Sequence, residues 1–180
     1  IGHTGLVGSN LARQTGFDAC YNSSNIAEIE GRTFDLVVCA GVRATMWEAN
    51  NNPEADWNSI SSLATLLGTA KISRLVLIST VAVLDDLAAG RNESDGAFEQ
   101  CLPYGINRRR LEVRLAENVE RTHVLRLPAL FGAGLKKNFI FDLLNPIPSF
   151  LRPDAHGATL AALGRSSRAF FDEAFALDPV

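Results

Sequence analysis

Two hydroxyls, a phenol and a cation are spaced along this chain as an acid–base site requires. Ser79 and Thr80 end the apolar run Arg74–Thr80, which is typical of a strand buried in a parallel sheet. Tyr104 follows 24 residues after Thr80, and Arg108 lies one helical turn beyond it on the same helix face. A positioned phenol exchanges protons with a substrate, a nearby cation stabilises phenolate, and a hydroxyl hydrogen-bonds a developing oxyanion.

A glycine loop opens the chain, directly before a helix predicted over Ser9–Gln14. In such a loop the first glycine permits a tight turn, the second lets the backbone approach a pyrophosphate, and the third lets helix and strand pack closely. The helix N-terminus adds unpaired N–H groups and partial positive charge. We therefore expect this loop to bind the phosphates of a dinucleotide through Gly2, Thr4, Gly5, Leu6, Val7 and Gly8.

The residues about 20 positions after the loop bear on the choice of cofactor. A carboxylate there binds the ribose hydroxyls of NAD, and an arginine accepts the 2′-phosphate of NADP. This chain has Asn22, Ser23 and Ser24, which carry neither signal. Asn22 can hydrogen-bond a ribose without repelling a phosphate, so the choice between NAD and NADP stays open.

Strand and helix patterns alternate, which predicts an α/β fold with a doubly wound parallel sheet and right-handed crossovers. The predicted strands are Phe17–Tyr21, Phe34–Gly41, Arg74–Thr80 and His123–Leu127, and the longer helices are Asp56–Ala70 and Tyr104–Glu120. Weaker patterns indicate helices over Lys137–Leu144 and Phe170–Phe175. A loop of this kind follows a strand, so we expect the first strand to be largely missing from a chain that starts at Ile1.

Composition limits the classes of partner. The net charge of −3 favours neither nucleic acid nor an anionic membrane surface. Three cysteines without Cys-x-x-Cys spacing indicate neither disulfides nor a zinc site, and they fit a reducing, cytoplasmic setting. The sequence has no apolar stretch of the roughly 20 residues that cross a bilayer. We expect a dinucleotide-binding domain over residues 1–148, with a remnant of a substrate-binding region or an irregular tail over 149–180.

Five stretches occur in the order found in one enzyme family. They are Gly2–Ser9, Asp35–Gly41, Val76–Thr80, Pro103–Gly105 and Arg126–Gly132. In these the chain resembles the extended short-chain dehydrogenase/reductase family, of the NAD-dependent epimerase/dehydratase type. The resemblance implies a Rossmann-type fold, NAD or NADP as cofactor, hydride transfer at a carbinol carbon, and a small-molecule substrate such as a nucleotide sugar. It also implies a homodimer, because helices such as 56–70 and 104–120 often form dimer faces in this family.

The resemblance assigns roles to individual residues. Tyr104 would be the general acid/base, with Thr80 as its hydroxyl partner and Ser79 adjacent. The remaining assignments concern the cofactor: Asn25 and Ile26 near the adenine, Ala40 and Gly41 along the ribose path, and Pro128 and Leu130 beside the nicotinamide. Asn58 matches an asparagine that supports the active site in the family.

The chain departs from the family at Arg108, where lysine is usual. Arginine keeps the charge and can reach ribose hydroxyls, but its bulk places the charge differently. Two alternatives therefore stand beside the enzyme: a dinucleotide-binding regulatory or non-catalytic protein, and a truncated, non-functional fragment. The resemblance covers roughly residues 1–145 and only about 35 residues follow it, so the sequence does not identify the substrate.

Overall fold

The structure describes residues 1–90, 92, 96–135, 141, 150–151, 157–158, 161–162, 164 and 176–177. In this computed structural model the chain divides into two compact units, Ile1–Ala133 and Gly134–Val180. The domain boundary that we predict at residue 148 lies outside the described residues. The division into a cofactor domain and a tail therefore stays a prediction.

A parallel sheet forms the centre of the first unit. Its three strands are β2 (Val37–Cys39), β4 (Leu75–Thr80) and β5 (Thr122–Leu127), with β4 in the middle. All three strands run parallel. A separate parallel pair joins β1 (Thr33–Phe34) to β3 (Lys71–Ile72). The carboxyl ends of β2, β4 and β5 therefore lie along one edge, where open parallel sheets bind their ligands.

Four α-helices accompany these strands in the described part of the first unit. They are α1 (Leu6–Gln14), α2 (Met46–Asn51), α3 (Pro53–Gly68) and α4 (Pro103–Asn118). Short 3-10 helices occupy Ile26–Ile29, Val81–Val83 and Leu87–Ala89. Both long helices, α3 and α4, begin with proline, which suits the first turn because the missing N–H has no partner there anyway.

The core lies between the sheet and the long helices. The buried residues of one contiguous cluster include Ile60, Ala64 and Leu67 of α3, Leu111 and Leu115 of α4, and Val37, Leu75 and Leu77 of the sheet. In each helix these apolar residues recur at helical spacing and therefore lie on one face. The core thus fixes α4, which carries the predicted phenol, against the strand that carries the predicted hydroxyls.

Several of the predicted elements differ from the structure. Helix α3 begins at Pro53 rather than Asp56, and the strand predicted over Phe34–Gly41 is divided between β1 and β2. Helix α1 begins at Leu6 rather than Ser9, because the glycine loop itself enters the first turn. Residues 17–21 do not form a strand. The Tyr21 carbonyl accepts one hydrogen bond from the Gly2 N–H, at 2.7 Å, but a single bond does not make a ladder.

In the second unit, β6 (Phe150–Leu151) pairs in parallel with β7 (Ala176–Leu177). The helix predicted over Phe170–Phe175 lies outside the described residues, and so does the helix predicted over Lys137–Leu144 apart from Phe141. Among the helices that are described, none is long and apolar enough to span a membrane.

Candidate active site

The glycine loop is built so that two of its glycines are required by the fold. Gly2 has φ +80°, and a Cβ there would lie 2.5 Å from the Ala40 carbonyl oxygen. A Cβ on Gly8 would lie 2.1 Å from the Gly2 carbonyl oxygen. Gly5 differs, because its Cβ would make only an ordinary contact of 3.5 Å. The protein thus has no steric need for glycine at position 5, where the loop is exposed.

The N-terminus of α1 follows this loop directly. Gly5 is the N-cap and supplies no side chain to occupy the first free N–H groups, and the first turn contains no acidic residue. Thr4 is exposed, and Leu6 and Val7 are half-buried at the start of the helix. These N–H groups and the positive end of the helix dipole are what an anionic phosphate requires.

Hydrogen bonds made by the side chains of two asparagines stabilise the loop after Tyr21. Asn22 Oδ1 accepts hydrogen bonds from the Ser24 N–H at 2.9 Å and the Ser24 hydroxyl at 2.6 Å. Asn25 Oδ1 accepts from the Asn22 N–H at 2.7 Å, and its Nδ2 donates to the Cys20 carbonyl at 3.2 Å. Both polar atoms of the Asn25 side chain are therefore already hydrogen-bonded to the backbone in and beside the loop.

Three of the predicted cofactor-binding segments lie beside one another. The loop after Tyr21 meets the glycine loop through the Gly2–Tyr21 hydrogen bond. Ile26 starts the 3-10 helix that follows and packs against the core. Ala40 follows β2, and its N–H donates to the Ile1 carbonyl at 3.0 Å, with the exposed Gly41 next to it.

Ser79 and Thr80 have different hydrogen-bond partners. Ser79 Oγ donates to Glu112 Oε1 at 2.6 Å. Thr80 Oγ1 accepts from the Ala82 N–H at 3.1 Å and so caps the 3-10 helix that follows β4. As an acceptor in that bond, the Thr80 hydroxyl keeps its own proton to donate.

Tyr104 is brought next to this 3-10 helix by a glycine. A Cβ on Gly105 would lie 2.2 Å from the Ala82 carbonyl oxygen, so only glycine permits this approach. Tyr104 is 7% exposed, and its N–H donates to Asn50 Oδ1 at 2.9 Å, which fixes the start of α4. The segment capped by Thr80 and the residue after Tyr104 are thus in direct contact.

Arg108 is buried against the phenol ring. It is 3% exposed, and its Cζ lies 3.9 Å from the centroid of the Tyr104 ring. Asp56 binds the guanidinium with both oxygens, at 2.6 and 2.9 Å. The remaining terminal N–H groups donate to the carbonyls of Arg43, at 2.6 Å, and Tyr104, at 3.3 Å. All four terminal N–H groups are therefore engaged within the protein.

Glu112 is the centre of a second buried cluster. It is 1% exposed and lies two helical turns after Tyr104. Arg126 donates to both of its carboxylate oxygens, at 3.1 and 2.7 Å, and Arg109 donates to Oε2 at 3.0 Å. With the Ser79 bond, this carboxylate joins α4 to β4 and β5.

The last two predicted residues follow β5. Thr80 pairs with Leu127 in the β4–β5 ladder, and the exposed Pro128 is the next residue along the chain. Leu130 is half-buried two positions further on. Both residues therefore lie at the carboxyl edge of the sheet, close in sequence to the partner of Thr80. In the part of the chain that the structure describes, no group of acidic, His or Cys residues is arranged to hold a metal ion.

Comparison with known proteins gives matches among solved structures. No protein-family model matches the sequence, and no curated protein does. The dTDP-4-dehydrorhamnose reductase of Bacillus anthracis, in complex with NADP, matches with a TM-score of 0.62 at 18% identity, over 84% of this chain and 60% of that one. A dTDP-4-dehydrorhamnose reductase of Clostridium acetobutylicum matches with a TM-score of 0.62 at 15% identity, over 98% of this chain and 71% of that one. MoeE5, in complex with UDP-glucose and NAD, matches with a TM-score of 0.59 at 16% identity, over 99% and 74% of the two chains.

The chain has the Rossmann-type fold of these proteins. At 15–18% identity the likeness shows the fold and nothing finer, and it confirms the fold class predicted from the alternation of strands and helices. This Rossmann-type chain spans 60% of the length of the B. anthracis reductase.

Several residues of the site are missed by the sequence prediction. Asp56, Glu112 and Arg126 hold the buried ion pairs, and Gly105 allows the close approach of α4. Asn58, which the family resemblance assigns a supporting role, is exposed on α3. A signal for Glu112 does exist, because it is a carboxylate next to the apolar stripe of α4, where a charge needs a partner.

Proposed function

We propose that this chain carries the cofactor-binding part and the acid–base residues of an NAD(P)-dependent oxidoreductase or epimerase acting on a nucleotide sugar. The observation that supports the proposal is the contact between Ala82, whose N–H donates to the Thr80 hydroxyl, and Gly105, the residue after Tyr104. The solved neighbours, which are reductases and a protein bound to UDP-glucose and NAD, support the cofactor and the substrate class.

The glycine loop fits a dinucleotide pyrophosphate. Gly5 leaves open the space that a side chain would fill, and the free N–H groups of α1 lie beside it. The Gly2–Ala40 contact connects this loop to the segment after β2. That segment in turn reaches α4, because the Arg43 carbonyl accepts from Arg108. A cofactor bound at the loop would thus extend toward Tyr104.

Tyr104 is proposed to take or return the proton of the substrate hydroxyl, and the Thr80 hydroxyl to donate a hydrogen bond to the same oxygen while it keeps its own proton. A bound nicotinamide would supply the electron sink for the hydride. The guanidinium of Arg108 lies against the face of the Tyr104 ring, and this cation–π contact would hold the phenol in place for proton transfer. Since its terminal N–H groups are engaged, the geometry favours this role of Arg108 over the predicted contact with ribose.

A fluorescence titration with NADH and with NADPH tests the proposal. We expect saturable binding of at least one, and turnover with a panel of nucleotide sugars that Tyr104→Phe abolishes while the cofactor Kd stays within about twofold. Tyr21→Phe is the control, because Tyr21 is the only other tyrosine and lies in the core. A folded chain that binds neither cofactor would overturn the proposal.

A second candidate is a dinucleotide-binding protein without turnover. The engagement of all four terminal N–H groups of Arg108 with Asp56 and two carbonyls favours it, because no terminal N–H remains for a ribose. Arg108→Lys separates the two candidates. Cofactor binding without turnover in both the wild type and Arg108→Lys supports the binding protein, whereas turnover that appears only with lysine indicates an enzyme that has lost its activity.

A further inference from the structure

We infer that Ser79 is a positioning residue held by Glu112, and that it fixes the end of β4 so that Thr80 and the 3-10 helix it caps stay against the start of α4. The catalytic consequence of this inference rests on the proposed function, whereas its structural part does not. Ser79 and Thr80 are neighbours that both carry hydroxyls, and their different hydrogen-bond partners separate their roles.

The Ser79 hydroxyl is committed to a rigid acceptor. Its only proton goes to Glu112 Oε1 at 2.6 Å, which leaves it none to donate to a substrate oxygen. Glu112 is 1% exposed and is held at the same time by Arg126 and Arg109. A hydrogen bond to a buried, immobilised carboxylate is among the stronger ones in proteins, so it fixes the position of Ser79.

The strand register reinforces this connection. Ser79 on β4 pairs with Arg126 on β5, and both side chains bind the same carboxylate. The Ser79 hydroxyl therefore joins the end of the central strand to α4 and to the neighbouring strand at one point.

A shift of Ser79 at the end of β4 would move Thr80 relative to Tyr104, because backbone contacts connect the three residues. Thr80 follows Ser79 directly, and its hydroxyl accepts from the Ala82 N–H. The Ala82 carbonyl in turn touches Gly105, the residue after Tyr104. If the end of β4 shifts, both the Thr80 hydroxyl and its distance from Tyr104 change, and a misplacement of reacting groups by about 1 Å costs up to 100-fold in rate.

The first test measures the amide exchange of Ala82 in Ser79→Ala, Ser79→Thr and wild type. We expect exchange about fivefold or more faster in Ser79→Ala, as a local opening would give, and restored protection in Ser79→Thr, which keeps the hydroxyl. The Ala64 amide, in the buried middle of α3, reports global unfolding, and its exchange should change much less than that of Ala82. Ser62→Ala removes an exposed hydroxyl that bonds within α3 and is the matched control. An unchanged Ala82 exchange rate in folded Ser79→Ala would overturn the inference.

The second test measures the consequence for the proposed reaction. In Ser79→Ala we expect kcat to fall about tenfold with the KM for cofactor within about twofold, and Ser79→Thr to recover most of it. Equal losses in Ser79→Ala and Ser79→Thr would contradict positioning by the hydroxyl. A wild type without turnover, combined with faster Ala82 exchange in Ser79→Ala, would overturn the proposed function and leave the positioning role supported.

Discussion

Arg126 binds Glu112 through two hydrogen bonds, in a pair whose carboxylate is almost fully shielded from water. Glu112→Gln keeps the shape of the side chain but removes the buried carboxylate charge that Arg126 and Arg109 share. Breaking a buried ion pair on one side costs about 3–5 kcal/mol. The Arg126 side chain is 20% exposed and the Arg109 side chain is 34% exposed, so we expect a loss of unfolding free energy near the lower end of this range. A shift of the urea midpoint at constant m measures this loss.

The control for this variant is an exposed ion pair in the same chain. Arg43 and Glu48 lie 3.6 Å apart with 76% and 46% of their side chains exposed. Exposed pairs contribute roughly 0–1 kcal/mol, so Glu48→Gln should leave the midpoint almost unchanged. If Glu112→Gln and Glu48→Gln shift the urea midpoint equally, the burial of Glu112 does not contribute the stability that we assign to it.

A second prediction concerns the contact between α4 and the 3-10 helix after β4. Gly105→Ala would place a Cβ 2.2 Å from the Ala82 carbonyl, and the backbone of one element would have to move. We expect a drop in stability of about 3 kcal/mol or more, as overpacking of a well-packed site gives, together with loss of any turnover. A thermal melt and an activity assay measure the two effects.

Gly68→Ala is the matched substitution in the other long helix. Gly68 ends α3, and a Cβ there would meet nothing within 4 Å. Alanine in a helix is favoured over glycine by up to about 1 kcal/mol, so this variant should melt at the same or a higher temperature. A melt of Gly105→Ala that resembles that of Gly68→Ala would show that α4 moves away from Ala82 at little cost.

A third prediction separates phosphate binding from folding in the glycine loop. Gly5→Ala should fold normally, because its Cβ makes only an ordinary contact and Gly5 already has an extended φ of −78°. If a pyrophosphate approaches the backbone here, the added methyl group should weaken NADH or NADPH binding by about tenfold or more. Gly16→Ala, at an exposed position with open space, should leave the Kd unchanged. Unaltered affinity in Gly5→Ala would place the phosphates elsewhere.

A fourth prediction concerns pH. Hydrogen bonds from the N–H groups of Cys101 and Leu102, at 2.7 and 3.1 Å, lower the pKa of the Glu99 carboxyl. A lowered carboxyl pKa stabilises the folded turn at pH values above the usual glutamate range, and this stabilisation is lost as the pH falls through the folded value. The amide shifts of Cys101 and Leu102, followed by NMR, should therefore titrate with a midpoint below the usual value for a glutamate side chain.

Glu99→Gln keeps an acceptor oxygen but does not titrate in this range, so the same amide shifts should then be independent of pH. A wild-type midpoint at or above the usual glutamate value would show that the two N–H groups do not bind the carboxylate in solution.

The sequence predicts those parts of this protein that depend on local patterns. Gly2, Gly5 and Gly8 mark a turn before a helix, and the apolar runs Phe34–Gly41 and Arg74–Thr80 contain β2 and β4. These predictions succeed because glycine requirements and buried strands leave signals within a few residues.

The partners of the buried charges leave no comparable signal. Asp56 and Arg108 are 52 residues apart, and Ser79 and Glu112 are 33 apart, so only the folded chain shows that they meet. The strand expected over Phe17–Tyr21 is wrong for a related reason. A strand depends on pairing along its length, and these residues have one such bond, to Gly2.

The pairing of Arg108 with both oxygens of Asp56 has a consequence for how this sequence can evolve. A lysine at position 108 has three donors on one nitrogen and cannot bind both carboxylate oxygens in the planar arrangement that arginine uses. An arginine without Asp56 would leave a buried charge unmatched. Replacing either residue alone therefore gives a less stable protein. We expect positions 56 and 108 to be inherited as a pair and to change together among descendants of this sequence.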